Sequence, residues 1–300
     1  MKKEPLIRVE NMKKYYPVKG GIIPHTTGCI KAVDGVSFSI MKGETLGLVG
    51  ESGCGKSTIG RQLVGLETPT EGSIYYKGMN LSEMKKEERR KIRTNLQMVF
   101  QDSYSSLNPR KHVFEILAQP MLYHKISTKE TVEKDVIKLL DMVGLPTGVL
   151  GRYPHEFSGG QRQRVAIARM LLQKAPILVF DDSLSAVDSE TDSLIRKALG
   201  DEMEQATVIL ISHRITTLMG ADQILVLNQG QAEEMGTHYE LIRKQGIYRR
   251  IYEIQMSQDD REQMKTETDA DAETDLRRRH ASEEKNNLRW QGGGAEDGGI

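Results

Sequence analysis

The sequence predicts an α/β fold built on a largely parallel sheet, and three observations lead there. Short β-rich runs alternate with helical stretches. The runs are rich in Val, Ile, Leu, Phe and Thr, which suits strands buried on both faces. A glycine-rich loop, Gly50-Glu51-Ser52-Gly53-Cys54-Gly55-Lys56-Ser57-Thr58, joins one such run to a helix.

Along the chain, Val, Ile, Leu, Phe and Thr concentrate at 36–40, 45–49, 96–100, 177–180, 207–211 and 223–227, which are read as strands. The stretches 56–64, 83–93, 161–172 and 191–203 are read as helices. Asn228-Gln229-Gly230 between two strand-like runs reads as a hairpin turn. Between about 102 and 161 no strand pattern appears, and 112–122 and 129–143 look helical. A helical insertion into the α/β core, at about 102–165, is expected there. After residue 255 the pattern collapses. The stretch 257–275 is polar and mostly acidic, Arg277-Arg278-Arg279 is basic, and glycines at 292–294 and 298–299 close the sequence. One domain over 1–256 and a disordered charged, Gly-rich tail over 257–300 are expected.

Composition excludes several classes. The apolar fraction is 38%, a little low for a compact protein, which agrees with an unpacked polar segment. The formal net charge is zero, so no global basic field points to nucleic acid. Cys29 and Cys54, the two cysteines, stand apart from each other and from any His cluster, so no metal site is expected of them and a reducing cytosol is the simplest setting. The start, Met1 to Pro5, lacks the apolar stretch of a signal peptide. The longest apolar runs, such as 207–211, are strand-sized, so any membrane part is expected from another chain.

The loop from Gly50 to Thr58 fits G-x-x-x-x-G-K-[ST] and has the strand-loop-helix context that the pattern requires. Its glycines let the backbone wrap so that N–H groups face phosphates, and the helix N-terminus adds partial positive charge. Lys56 is expected to contact the β- and γ-phosphates of ATP, and the Ser57 hydroxyl to ligate Mg²⁺. Glu51 and Cys54 fill free positions of the pattern. Phosphoryl transfer also needs a carboxylate at the end of another strand, and Ile177-Leu178-Val179-Phe180-Asp181 supplies it.

Further motifs narrow the class. Phe157-Ser158-Gly159-Gly160-Gln161-Arg162-Gln163-Arg164 closely resembles the LSGGQ signature of ATP-binding cassette (ABC) proteins. Met98-Val99-Phe100-Gln101-Asp102 is similar to their Q-loop, Ser185-Ala186-Val187-Asp188 to their D-loop, and Ile211-Ser212-His213-Arg214 to their H-loop. Tyr16 sits where the family places an aromatic that stacks on adenine, with neighbouring Tyr15 a rival for that role. The resemblance covers about residues 6–255. It implies a P-loop NTPase ABC cassette, with a RecA-like core, an antiparallel β portion and a helical insertion subdomain. It also implies Asp182, His213 and Gln101 as catalytic residues, with Ser57, Gln101 and Asp181 toward magnesium. Tyr16, Gly50 to Thr58 and Ser158, Gly159, Gly160 and Gln161 would bind nucleotide. In the family two cassettes dimerise head to tail, so one chain carries two half-sites. A permease then receives the motion at the cytoplasmic face of the cell membrane.

Two branches of that family are visible. Residues 6–161 look like the ATPases of oligopeptide and dipeptide uptake systems, on 31–38, 99–110 and 153–158. Residues 170–255 resemble multidrug-type exporter cassettes, on 181–188, 212–218 and 236–252. A recombinant or engineered fusion and a natural divergent cassette both fit such a seam. The seam brings a chemical departure. Where the family usually has Glu after the strand-end Asp181, this chain has Asp182, one methylene shorter. The resemblance implies an ATPase powering peptide uptake, without fixing substrate or direction. An exporter cassette, or a low-turnover regulatory cassette in a heterodimer, stays open. A DNA-repair or translation ABC factor would show a coiled-coil insertion, zinc cysteines or a second cassette, and none of these is present in the sequence.

Overall fold

The computed structural model describes residues 4–20, 25–85, 87–88, 92–100, 106–172, 175–183 and 206–256. The strands are β1 (Ile7–Gly20), β2 (His25–Ile40), β3 (Thr45–Gly50), β4 (Glu71–Tyr76), β5 (Met79–Asn80), β6 (Leu96–Val99), β7 (Ile177–Asp181), β8 (Thr207–Ile211), β9 (Gln223–Asn228) and β10 (Gln231–Gly236). The helices are α1 (Lys56–Leu63), α2 (Val113–Tyr123), α3 (Val132–Met142), α4 (Gly159–Leu171), α5 (Ile215–Leu218), α6 (His238–Arg243) and α7 (Ile247–Gln255).

Two sheets result. The larger has the order β10-β9-β3-β8-β7-β6 and is parallel except for the β9–β10 pair. Every residue of β7 and β8 is buried, including Asp181 and Thr207 at their ends, in keeping with the apolar residues between. Gln229 and Gly230 connect β9 to β10, both at positive φ, which gives the two-residue mirror-image turn that matches strand twist. The smaller sheet, β2-β1-β4-β5, is antiparallel. Strand β2 begins well before the expected 36–40, and β1, β4 and β5 were not marked as strands by their sequence. In β1 the ladder shifts register between Val9 and Met12, where Asn11 has φ 45°, and this bulge breaks the alternation that would have marked a strand.

Helix α1 lies between the two sheets. Its Ile59 and Leu63 join Leu46, Leu48 and Ile211 from the large sheet and Ile7, Val9 and Val36 from the small one in a single apolar cluster. Burying each such side chain contributes about 1.5–3 kcal/mol. On the other face of the large sheet, α2, α3 and α4 share a second cluster with α7, through residues such as Leu117, Val136, Ile167 and Tyr248. Every described element from 113 to 171 is an α-helix or a 3-10 turn. Helix α4 begins at Gly159, two residues before the expected start, because Ser158 caps it. Of the expected helix 83–93, residues 87, 88 and 92 are helical and the described end is a 3-10 turn, Arg93–Asn95. The expected helix 191–203 and the tail 257–300 lie outside the described residues.

Candidate nucleotide site

Parallel strands place their C-terminal ends together, and this is where open α/β sheets hold ligands. Here β3, β7 and β8 end side by side, with Leu48 paired to Ile211 and Asp181 paired to Ile211 from the other side. The loop after β3, Asp181 at the end of β7 and His213 just beyond β8 therefore converge. They line one cleft of about 260 Å³, together with Ser57, Asp182 and Ser212.

The loop conformation depends on glycine at two close approaches. Gly50 has φ 150°, and a Cβ there would sit 2.1 Å from the Leu227 carbonyl oxygen. Gly55 has φ 103°, and a Cβ there would sit 2.3 Å from the Ala32 carbonyl oxygen. Neither position admits a side chain without moving backbone. Gly55 caps α1, and the Ile59 N–H donates to its carbonyl at 2.9 Å. The Lys56 ammonium lies back over the loop and donates to the carbonyls of Gly50 and Glu51, each at 2.8 Å. Ser52, Gly53 and Thr58 line the cleft, and Glu51 is exposed. Cys54 is buried, with its Sγ 3.5 Å from Lys56 Nζ.

Ser57 Oγ donates to Asp181 Oδ1 at 2.8 Å. Asp181 is 2% exposed. Burial pushes its carboxyl above the usual carboxylate range, while the Ser57 hydrogen bond and the Arg61 charge pull it back. A hydroxyl and a buried carboxylate in contact form a hard-oxygen donor pair that fits a magnesium ion also ligated by phosphate oxygens. Among the described residues no cluster of three or more His, Cys, Asp or Glu could hold a metal without such help.

Asp182 stands at φ 47°, with its N–H bonded to the Ile211 carbonyl at 2.7 Å. Its Oδ2 lies 2.6 Å from His213 Nδ1. The His213 side chain is 59% exposed and that of Asp182 only 12%, so the pair stands at the cleft wall with the imidazole outermost.

Tyr16 and Tyr15 are consecutive strand residues that point apart. The Tyr16 hydroxyl donates to Glu67 and lies within reach of Thr58 at the start of α1. Burial, then the Glu67 bond, raises its pKa above the ordinary tyrosine value. The Lys14 ammonium lies 5.2 Å from the Tyr16 ring centroid. Tyr15 instead donates to Asp34, with Lys31 beside its ring. Tyr16 is thus the one joined to the phosphate-loop helix. Glu67, which holds it, carried no local signal, because the contact spans 51 positions.

The signature lies elsewhere. Ser158 Oγ accepts from Gln161 N–H at 3.3 Å, and the Ser158 N–H donates to Gln161 Oε1 at 3.2 Å, a reciprocal cap that opens α4. Ser158 and Gly159 are exposed, and none of Ser158, Gly159, Gly160 and Gln161 lines the cleft. Gln101 and the segment 185–188 lie outside the described residues.

A glycine-wrapped phosphate loop, a Ser-Asp pair at neighbouring strand ends and a helix-capping SGGQ define the class as an ATP-binding cassette. The ABC transporter family model matches residues 33–185, and the chain belongs to that family. The chain is 43% identical over 242 residues to the oligopeptide transport ATP-binding protein AppF of Bacillus subtilis, covering 79% of this chain and 74% of that one. It is 43% identical over 237 residues to the dipeptide transport ATP-binding protein DppF of Haemophilus influenzae, covering 78% and 72%. Among solved structures it is similar to the dimeric ATP-binding cassette MJ0796 in a post-hydrolysis state bound to ADP and Pi. The TM-score is 0.69 at 30% identity, over 77% of this chain and 98% of that one. It is also similar to a bacterial Atm1-family ABC exporter with ATP bound, with TM-score 0.71 at 28% identity, over 85% of this chain and 42% of that one.

Proposed function

We propose that this chain is the ATP-hydrolysing subunit of a transporter that takes up oligopeptides or dipeptides. The carrying observation is the convergence of Lys56, Ser57, Asp181, Asp182 and His213 on one cleft at the strand ends, in a chain 43% identical to two peptide-transport ATP-binding proteins. We assign residues 1–256 to the cassette, with its helical insertion at about 102–165, and place 257–300 outside it.

Gly50 to Thr58 wrap the phosphates, and Lys56 neutralises the β- and γ-phosphate charge. Ser57 and Asp181 would hold magnesium, with Gln101 a further ligand, and the bound ion would supply charge neutralisation at the phosphate oxygens. Tyr16 stacks on adenine. Asp182 orients the attacking water and takes its proton, and His213 contacts the γ-phosphate. Ser158 to Gln161, of which Ser158 and Gly159 are exposed and none lines their own cleft, complete the site of a second cassette, where the N-terminus of α4 offers N–H groups to the γ-phosphate. Integral membrane permease subunits carry the peptide. Among the described residues no helix is long and apolar enough to cross a membrane. The chain works at the cytoplasmic face of the cell membrane and uses no nucleic acid.

A second reading is favoured by Asp182. One methylene short of glutamate, it suits a low-turnover cassette in a heterodimer or an exporter. Purification of the full chain from its own membranes, with identification of the co-purifying membrane protein and measurement of ATP turnover, separates the two. A peptide permease and turnover stimulated by peptide are expected. An export permease, or a partner cassette carrying all the turnover, overturns the first reading.

A further inference from the structure

Helix α7 buries Tyr248 and Tyr252 against the core, and Gln255, three residues on, stands exposed at the last turn. Although exposed, the Gln255 side-chain amide has two backbone partners. Its Nε2 donates to the His213 carbonyl at 2.5 Å, and its Oε1 accepts from the Ile215 N–H at 2.8 Å. One side-chain amide therefore spans the backbone on both sides of Arg214, just where the chain leaves β8.

The helix that delivers this amide is fixed at its other end. Glu234 on β10 accepts from the N–H groups of Ile247 at 2.5 Å and Tyr248 at 3.3 Å. Gly246 allows that approach, since a Cβ there would lie 2.3 Å from Glu234 Oε2. The Tyr248 hydroxyl meets His238 Nδ1 at 2.7 Å. On the sheet side, the Ser212 N–H donates to the Leu48 carbonyl at 3.2 Å. His213 thus sits between one anchor on the central strand and another on α7, while its exposed ring meets Asp182.

We infer that Gln255 is a positioning residue for His213, through which the last turn of α7 sets the imidazole for ATP hydrolysis. The inference rests on the reading of His213 as a group that contacts the γ-phosphate. Catalytic groups displaced by about 1 Å can lose ~10² in rate, and releasing one of two backbone anchors displaces the ring by part of that.

The test is single-turnover hydrolysis by the full chain, with fluorescent-nucleotide affinity and thermal melting measured alongside. Gln255→Leu removes both bonds. Gln255→Glu keeps the acceptor for Ile215 but sets an oxygen against the His213 carbonyl. Each is expected to slow hydrolysis about tenfold, with nucleotide affinity unchanged within about twofold. In a His213→Ala background, Gln255→Leu is expected to slow the reaction no further, because the two residues act as one unit. Wild-type hydrolysis in either Gln255 variant, or additive losses in the double variant, overturns the inference. Wild-type hydrolysis in His213→Ala alone overturns the reading of His213 and the inference with it, and that outcome is distinct from a failure at Gln255 only.

Discussion

Asp182 Oδ2 and His213 Nδ1 meet at 2.6 Å on the wall of the cleft, joining the ends of β7 and β8. Asp182 holds this contact from φ 47°, a conformation that aspartate adopts more readily than most L-residues. A longer carboxylate at the same Cα would reach further into the cleft. Asp182→Glu is expected to raise steady-state ATP turnover, by up to ~10²-fold if geometry alone limits it. It should cost roughly 0.5–1 kcal/mol of stability through the less tolerant backbone. Turnover and urea unfolding of the two proteins check both parts. Unchanged turnover with unchanged nucleotide affinity removes Asp182 as the limiting group.

Lys56 makes its bonds to the loop's own carbonyls, Gly50 and Glu51. These are neutral-acceptor contacts of modest worth on a half-buried lysine, whereas a bond to a charged phosphate is stronger. Lys56→Ala is therefore expected to leave melting nearly unchanged and to weaken ATP binding by about 100-fold or more. Isothermal titration with Mg-ATP measures it. Retained tight binding would contradict the assignment of the phosphate loop.

Gly159 tests whether the signature works across to another chain. A Cβ built there meets nothing within 4 Å, so its own chain leaves room for a side chain. Gly159→Asp should accordingly keep Tm within about 2 °C and leave ATP binding to its own loop intact. Turnover should fall by ~10² or more, because the new carboxylate would face a partner's γ-phosphate. Normal turnover in this variant would mean that no phosphate approaches α4.

Much of this site was legible because its parts sit at strand ends. The run 207–211 is β8 to the residue, and the apolar residues 208–211 follow from burial on both faces. Asp181 and His213 could then be placed beside the loop by counting from strand ends. Of the small sheet only 36–40, the end of β2, was legible as a strand; in β1 the bulge at Asn11 disrupts the alternation. Helix α6 did carry a local signal, the reciprocal cap of Thr237 and Glu240, that hydrophobic periodicity alone passes over. The contacts of Glu67 with Tyr16 and of Gln255 with His213 span 51 and 42 positions, so only the folded chain brings them together.

His238 gives a prediction for pH. It is 2% exposed, its Nδ1 meets the Tyr248 hydroxyl, and burial depresses its pKa to about 4 from an ordinary 6.5. The native state therefore keeps the ring neutral where the unfolded chain would protonate it. Stability from this group is fully present above pH 6.5 and is lost as pH falls toward about 4. The full window corresponds to about 3 kcal/mol, an upper figure. Unfolding free energy from urea titrations should drop between pH 7 and pH 5 in the wild-type chain and drop less in His238→Gln, which cannot take up a proton. Other groups titrate in this range in both proteins, so the difference between the two slopes isolates His238. Equal slopes would show that the buried ring is not the group responsible.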